Sequence, residues 1–122
     1  MEEKIMISSA RNTLSALNAF NKKMNVIANN VANVETEEFK KSRATLVEAP
    51  ENSVKVEVSQ PEDPGPTVVE VKDGQIEEKQ MSNVDLTEEI PQSMVAQRGY
   101  EANLATLRTY DEMIKSILNI VG

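Results

Sequence analysis

The apolar residues Ala10, Leu14, Leu17, Phe20, Met24, Ile27, Val31 and Val34 recur at spacings of 4, 3, 3, 4, 3, 4 and 3. That period is a helical stripe and nearly a heptad seam. A helix from about Ser8 to Asn33 is about 39 Å long at ~1.5 Å per residue. A chain of 122 residues cannot wrap a core around a rod of that length. The stripe therefore needs a second helix, and the sequence supplies one. Ala96, Tyr100, Leu104, Leu107, Tyr110, Ile114, Ile117, Leu118 and Val121 form a second stripe near the other end of the chain. Gly122 follows it directly, so the last turns are expected to be contact surface, and the charged residues 1–4 are expected to fray.

Composition makes pairing more pressing. With two Phe, two Tyr and no Trp, a core built by this chain is thin and aliphatic, and partner burial is a plausible source of stability. Neither Cys nor His is present, which removes disulfides, thiolate and imidazole catalysis and the usual zinc sites. A net charge of −7 argues against nucleic acid, whose phosphates dominate such affinity. The uncharged runs are too short to span a bilayer. The start, MEEKIMISSARN, has no basic segment followed by an apolar one, so no cleavable secretory signal is expected.

Asn12, Asn18, Asn21, Asn25, Asn29, Asn30 and Asn33 lie off the N-terminal stripe. Asn is a weak helix former because its amide competes for backbone groups. Asn18, Asn21, Asn25 and Asn29 share one face, which is either a solvated surface or an amide face that hydrogen-bonds to neighbouring helices. Asn33 suits a left-handed helix cap. Glu35 to Arg43 reads as a turn and exit, with Phe39 packing back on the helix. Val54, Val56 and Val58 alternate with Lys55 and Glu57, a half-buried strand. Pro61 to Pro66 is a break. Thr67 to Lys72 is a second strand, Asp73-Gly74 a type I′ hairpin turn, and Gln75 to Lys79 a third strand. Asp85 with Glu88 forms a D-x-x-E capping box. Pro91 then marks a bend, with the main helix starting at it. Gly99 either permits a close helix crossing or is merely tolerated.

The expected fold is α+β: long N- and C-terminal helices paired as a coiled-coil-like bundle around a small antiparallel β insert. The expected divisions are 1–43, 44–82 and 83–122. No phosphate loop, nucleophile elbow or carboxylate pair is present. Glu35, Glu37 and Glu38 read as solvated acids, and Lys40, Lys41 and Arg43 as locally paired or solvated bases. The methionines read as core or interface filler. These residues describe a structural or interaction protein with no cofactor, metal or small-molecule substrate.

Two stretches add a resemblance. SALNAF followed by ANNVANVETEEFKKSR resembles the N-terminal signature of bacterial flagellar rod, hook and hook-associated axial proteins. It is carried by Ala28, Asn29, Asn30, Val31, Ala32, Asn33, Thr36, Phe39 and Lys40. SNVDLTEEI and VAQRGYEANL resemble the C-terminal helix of the same family, through Asn83, Val84, Asp85, Leu86, Glu88, Glu89, Gln97, Arg98, Tyr100, Glu101, Ala102 and Asn103. The short middle is most similar to the small proximal rod subunits. Glu35, Glu38, Gly99 and Pro91 depart from the pattern; Glu38 stands where Gly, the residue that most easily takes a positive φ, is commoner.

The resemblance implies a structural subunit of the flagellar basal-body rod that assembles with itself and with other axial proteins. It implies export by the flagellar type III apparatus without a cleaved signal, and ordering of the terminal helices coupled to assembly. The implied assembly interface comprises Leu17, Phe20, Met24, Ile27, Asn29, Asn30, Val31, Asn33 and Phe39 with Gln97, Arg98, Tyr100, Asn103, Leu104, Leu107, Ile114 and Ile117. Leu17, Phe20, Met24 and Ile27 are expected to meet Leu104, Leu107, Ile114 or Ile117. The competing expectation is a cytoplasmic coiled-coil adaptor or export chaperone of the same apparatus.

Overall fold

The computed structural model describes residues 2–121, without the side chains of Glu2, Glu3 and Val121. The expectations for Met1, Val121 and Gly122 therefore fall outside the described residues. Helix α1 spans Glu2–Ala32 and helix α2 spans Leu86–Val121. Between them lie strands β1 (Arg43–Ala49), β2 (Ser53–Ser59), β3 (Thr67–Lys72) and β4 (Gln75–Gln80). The α+β arrangement of two terminal helices around small antiparallel sheets is as the sequence implies.

Helix α1 begins at Glu2, six residues before the start expected near Ser8. The apolar period runs back through Met6, which sits with Ile7 against Ile114, Ile117 and Leu118 of α2. The two helices are antiparallel. Phe20 faces Gly99 so closely that a Cβ placed there would lie 2.4 Å from the ring. Met24 and Ile27 share a hollow with Ser93 and Gln97. This corrects the expected register. Met24 and Ile27 lie beside the first turns of α2 rather than beside Leu104 to Ile117, because the Phe20–Gly99 approach fixes where the helices cross.

The β insert is two separate two-stranded antiparallel ribbons rather than one sheet. In the first, Arg43 pairs with Ser59 and Ala49 with Ser53. Its return is a tight turn, Pro50–Asn52, with Glu51 and Asn52 at φ +64° and +60°. Strand β1 was not expected; its turn carries no Gly. Both strands of this ribbon pack against α1. Ser15 Oγ accepts the Val54 N–H at 3.1 Å, and Ala19, one turn on, is buried. The second ribbon, β3–β4, turns at Asp73-Gly74 with both residues at positive φ, as type I′ requires.

The core is small. Leu17, Ala19, Ile27, Ala44 and Ala96 are its buried apolar residues. Pro91 lies inside α2 in its second turn, and the helix runs through it without the expected restart. Its exposed position lets the Thr87 carbonyl, deprived of the bond a residue-91 N–H would give, turn to water.

Candidate functional site

The two sequence motifs meet in space where α1 ends and α2 begins. The segment between them, Phe39 to Ser42, is held by side-chain amides rather than by a sheet. Asn30, on the last full turn of α1, is the largest fully buried side chain. Its Nδ2 donates to the Ser42 carbonyl at 2.7 Å and its Oδ1 accepts the Ser42 N–H at 3.0 Å. Both polar groups of the amide are thus spent on one backbone residue. Asn83 does the corresponding work from the other motif. Its Oδ1 accepts the Lys41 N–H at 2.6 Å, and its Nδ2 donates to the carbonyls of Asp63 and Pro61 at 2.9 and 3.3 Å. The Asn83 N–H donates to the Phe39 carbonyl at 3.2 Å. Gln60 Nε2 donates to the Lys40 carbonyl at 3.1 Å. A half-buried backbone segment outside any sheet must find partners somewhere, and here asparagines from both motifs provide most of them.

The turn before this segment also rests on asparagine. Asn33 is not left-handed, contrary to expectation; α1 instead closes with tightened bonds from Asn33 to Asn30 and from Val34 to Val31. Asn33 Nδ2 donates to the Asn29 carbonyl at 2.8 Å and its Oδ1 accepts the Thr36 hydroxyl at 3.0 Å. With its amide spent in this way, the left-handed residue falls five positions later, at Glu38 (φ +57°). Glu38 thus takes a backbone conformation that glycine adopts more easily. The Glu38 N–H donates to the Gln80 carbonyl at 2.9 Å, fastening the base of the second ribbon to the junction.

Charge closes the site. Asp85 caps α2, accepting the Thr87 N–H at 2.9 Å and the Thr87 hydroxyl at 2.7 Å. These bonds hold its carboxyl below the usual range. Glu88 does not complete the capping box. It turns away to Lys41, at 3.0 Å, and to Arg43. The hydrogen bond from Lys41, with the charges of Arg43 and Lys41, holds the Glu88 carboxyl below its ordinary value. Lys41 and Arg43 thus tie the exit of α1 to the start of α2, rather than pairing with the neighbouring acids. Lys79 bridges Glu70 at 2.7 Å and Glu37 at 3.1 Å; those hydrogen bonds raise its pKa.

The remaining expected interface residues divide into two groups. Leu17 and Ile27 are buried, and Phe20, Met24, Asn33, Phe39, Tyr100, Asn103, Leu104 and Leu107 are half-buried between elements of the same chain. Asn29, Val31, Gln97, Arg98, Ile114 and Ile117 are exposed. From Asp111 to Ile120 every residue of α2 is exposed, including Met113, Ile114, Ile117, Leu118 and Ile120. At the same end of the helix pair α1 exposes Ile5 and Ile7. Of the seven asparagines between Asn12 and Asn33, Asn18, Asn21, Asn25 and Asn29 form an outward-facing row. Sequence reasoning did not single out Asn83, Glu88 or Ser42 as site residues. The available signal was a second motif Asn just before a helix cap. Among the described residues no cluster of His, Cys, Asp or Glu is placed to hold a metal ion, and no helix is long and apolar enough to cross a membrane.

Residues 11–40 match the family model "Flagella basal body rod protein", and residues 80–120 match "Flagellar basal body rod FlgEFG protein C-terminal". Both halves of the junction lie within or beside these two segments. Among curated proteins, the chain is 44% identical over 41 residues to the flagellar basal-body rod protein FlgG of Bacillus subtilis, covering 34% of this chain and 16% of that protein. It is 41% identical over 39 residues to the flagellar hook protein FlgE of Escherichia coli, covering 32% of this chain and 10% of that one. The hook protein FlgE of Salmonella typhimurium matches equally, at 41%. The matches thus span only a small part of the curated relatives' length.

Proposed function

The chain belongs to the flagellar basal body rod and hook family, and from that premise we propose that it is a non-enzymatic structural subunit of the basal-body rod. Its partners are further copies of itself and other axial proteins, which it meets through its terminal helices. The observation that carries this reading is the open end of the helix pair. Half-buried Met6 and exposed Ile7, Ile114, Ile117 and Leu118 form an apolar surface that is left open among the described residues. Isolated exposed apolar residues are ordinary, but a contiguous cluster on two adjacent helices marks a contact surface. The expected interface residues then take two roles. Buried ones such as Leu17, Ile27 and Asn30 shape the subunit, and exposed ones such as Val31, Ile114 and Ile117 meet neighbours.

The short span between the two motifs favours a small rod subunit over one with a large inserted domain. Delivery by the flagellar type III export apparatus, without a cleaved signal, is part of the same reading. Cell fractionation tests it. The chain should co-purify with detergent-extracted basal bodies, and deleting its gene should abolish motility. A soluble cytoplasmic oligomer absent from basal bodies would instead identify an adaptor or export chaperone.

A further inference from the structure

The β3–β4 ribbon is tied to the junction at its base, through the Gln80 carbonyl and Lys79, and its remaining length projects beyond it. Apart from Lys79 and Gln80 at its base, all its residues are exposed. The register sets Val71 opposite Ile76 and Val69 opposite Glu78. Alternate residues share a face, so Val69, Val71 and Ile76, at 58, 69 and 74% exposure, form one apolar strip. A two-stranded ribbon without cover is marginal in water.

Charge indicates what covers it. The ribbon carries Glu70, Asp73, Glu77 and Glu78, and of its two lysines Lys79 is already engaged by Glu70 and Glu37. Helix α1 has the opposite sign: from residue 4 to residue 32 it contains only cations and no acid. Arg11 and Lys22 are exposed and form no ion pair among the described residues. Their helical positions place them on the same outward arc as Leu14, which is 47% exposed, and the amides Asn18, Asn21 and Asn25.

We propose that the β3–β4 ribbon of one copy docks on the outward face of α1 of a second copy. Its apolar strip covers Leu14, and Asp73 and Glu78 oppose Arg11 and Lys22. The proposal rests on the reading of the chain as an assembling subunit and names one of its contact surfaces. The two surfaces differ, so each copy keeps one ribbon and one α1 face free, and the contact propagates rather than closing as a symmetric dimer.

The absence of cysteine makes the test direct. A full-length copy with Ile76→Cys is mixed with a second of different mass carrying Leu14→Cys, under mild oxidation. A disulfide-linked heterodimer is expected well above that formed with Thr109→Cys, an exposed position on α2. Asp73→Lys with Glu78→Lys should lower the yield by about tenfold or more, and Arg11→Glu with Lys22→Glu on the partner should restore it. Yields no higher than with Thr109→Cys, or unaffected by the reversals, overturn the docking. Sedimentation of the unsubstituted chain separates the two readings. Assembly without this cross-link sinks the ribbon contact and leaves the assembling subunit standing, whereas absence of both sinks both.

Discussion

At the scale of single residues, Asn30 is the most consequential side chain. Replacing it by Ala removes both partners of Ser42 and leaves a part-buried N–H and carbonyl to find others, at a cost of about 1 to 3 kcal/mol. Asn25→Ala, on the exposed row, should stay within about 0.5 kcal/mol. Urea unfolding of the two variants checks the contrast. Helical period set Asn25 on a face that Asn30 does not share, but it left open whether that face was solvated, and the family motif marked Asn30 no differently from Asn29 and Asn33. Glu38 gives a prediction of opposite sign. A non-glycine residue at positive φ is disfavoured by about 1 to 2 kcal/mol, while Gly costs some backbone entropy in return. Glu38→Gly should therefore raise the unfolding midpoint, with a net gain of about 0.5 to 1 kcal/mol and an unchanged denaturant slope. Glu88 makes the junction sensitive to acid. Its carboxyl is held below its ordinary value of 4.5, so its contribution is present above that pH and is lost as the pH falls through the lowered value. Stability measured from neutral pH downward should decline below about 4.5, and less steeply in Glu88→Gln.

At the scale of elements, the helix crossing is set by a missing side chain. Gly99→Ala improves helix propensity by about 1 kcal/mol, yet the added carbon would lie 2.4 Å from Phe20. The net effect expected is a loss of about 1 to 3 kcal/mol. Phe20→Leu in the same chain should make the two losses less than additive in a double-mutant cycle. The helices, the Asp73-Gly74 hairpin and β2 were legible because period and turn chemistry are local. Strand β1 was not, since Glu51 and Asn52 make a left-handed turn without glycine. Nor was the split into two ribbons, because alternation reveals that a strand is half-buried but not what it lies against. Pro91 misled for a related reason: a proline suggests a break, but an exposed carbonyl one turn earlier can bond water and leave the helix continuous.

At the scale of the whole molecule, the parts that hold the fold and the parts offered to neighbours are separate. Ile117→Asp with Leu118→Asp should leave the unfolding free energy within about 0.5 kcal/mol, since both sites are exposed. The same pair should abolish assembly by sedimentation. Loss of fold in that variant would show that the open end is core rather than contact. The amide junction also bears on the order in which the chain becomes structured. Helix α1 and the first ribbon draw on residues 2 to 59, but the Lys41 N–H finds its partner only in Asn83, 42 positions away. Closing a loop of that length must precede the reward. A chain arriving N-terminus first is therefore left unlatched until its last third appears, and the slowest refolding phase should report capture of the second helix rather than formation of the first.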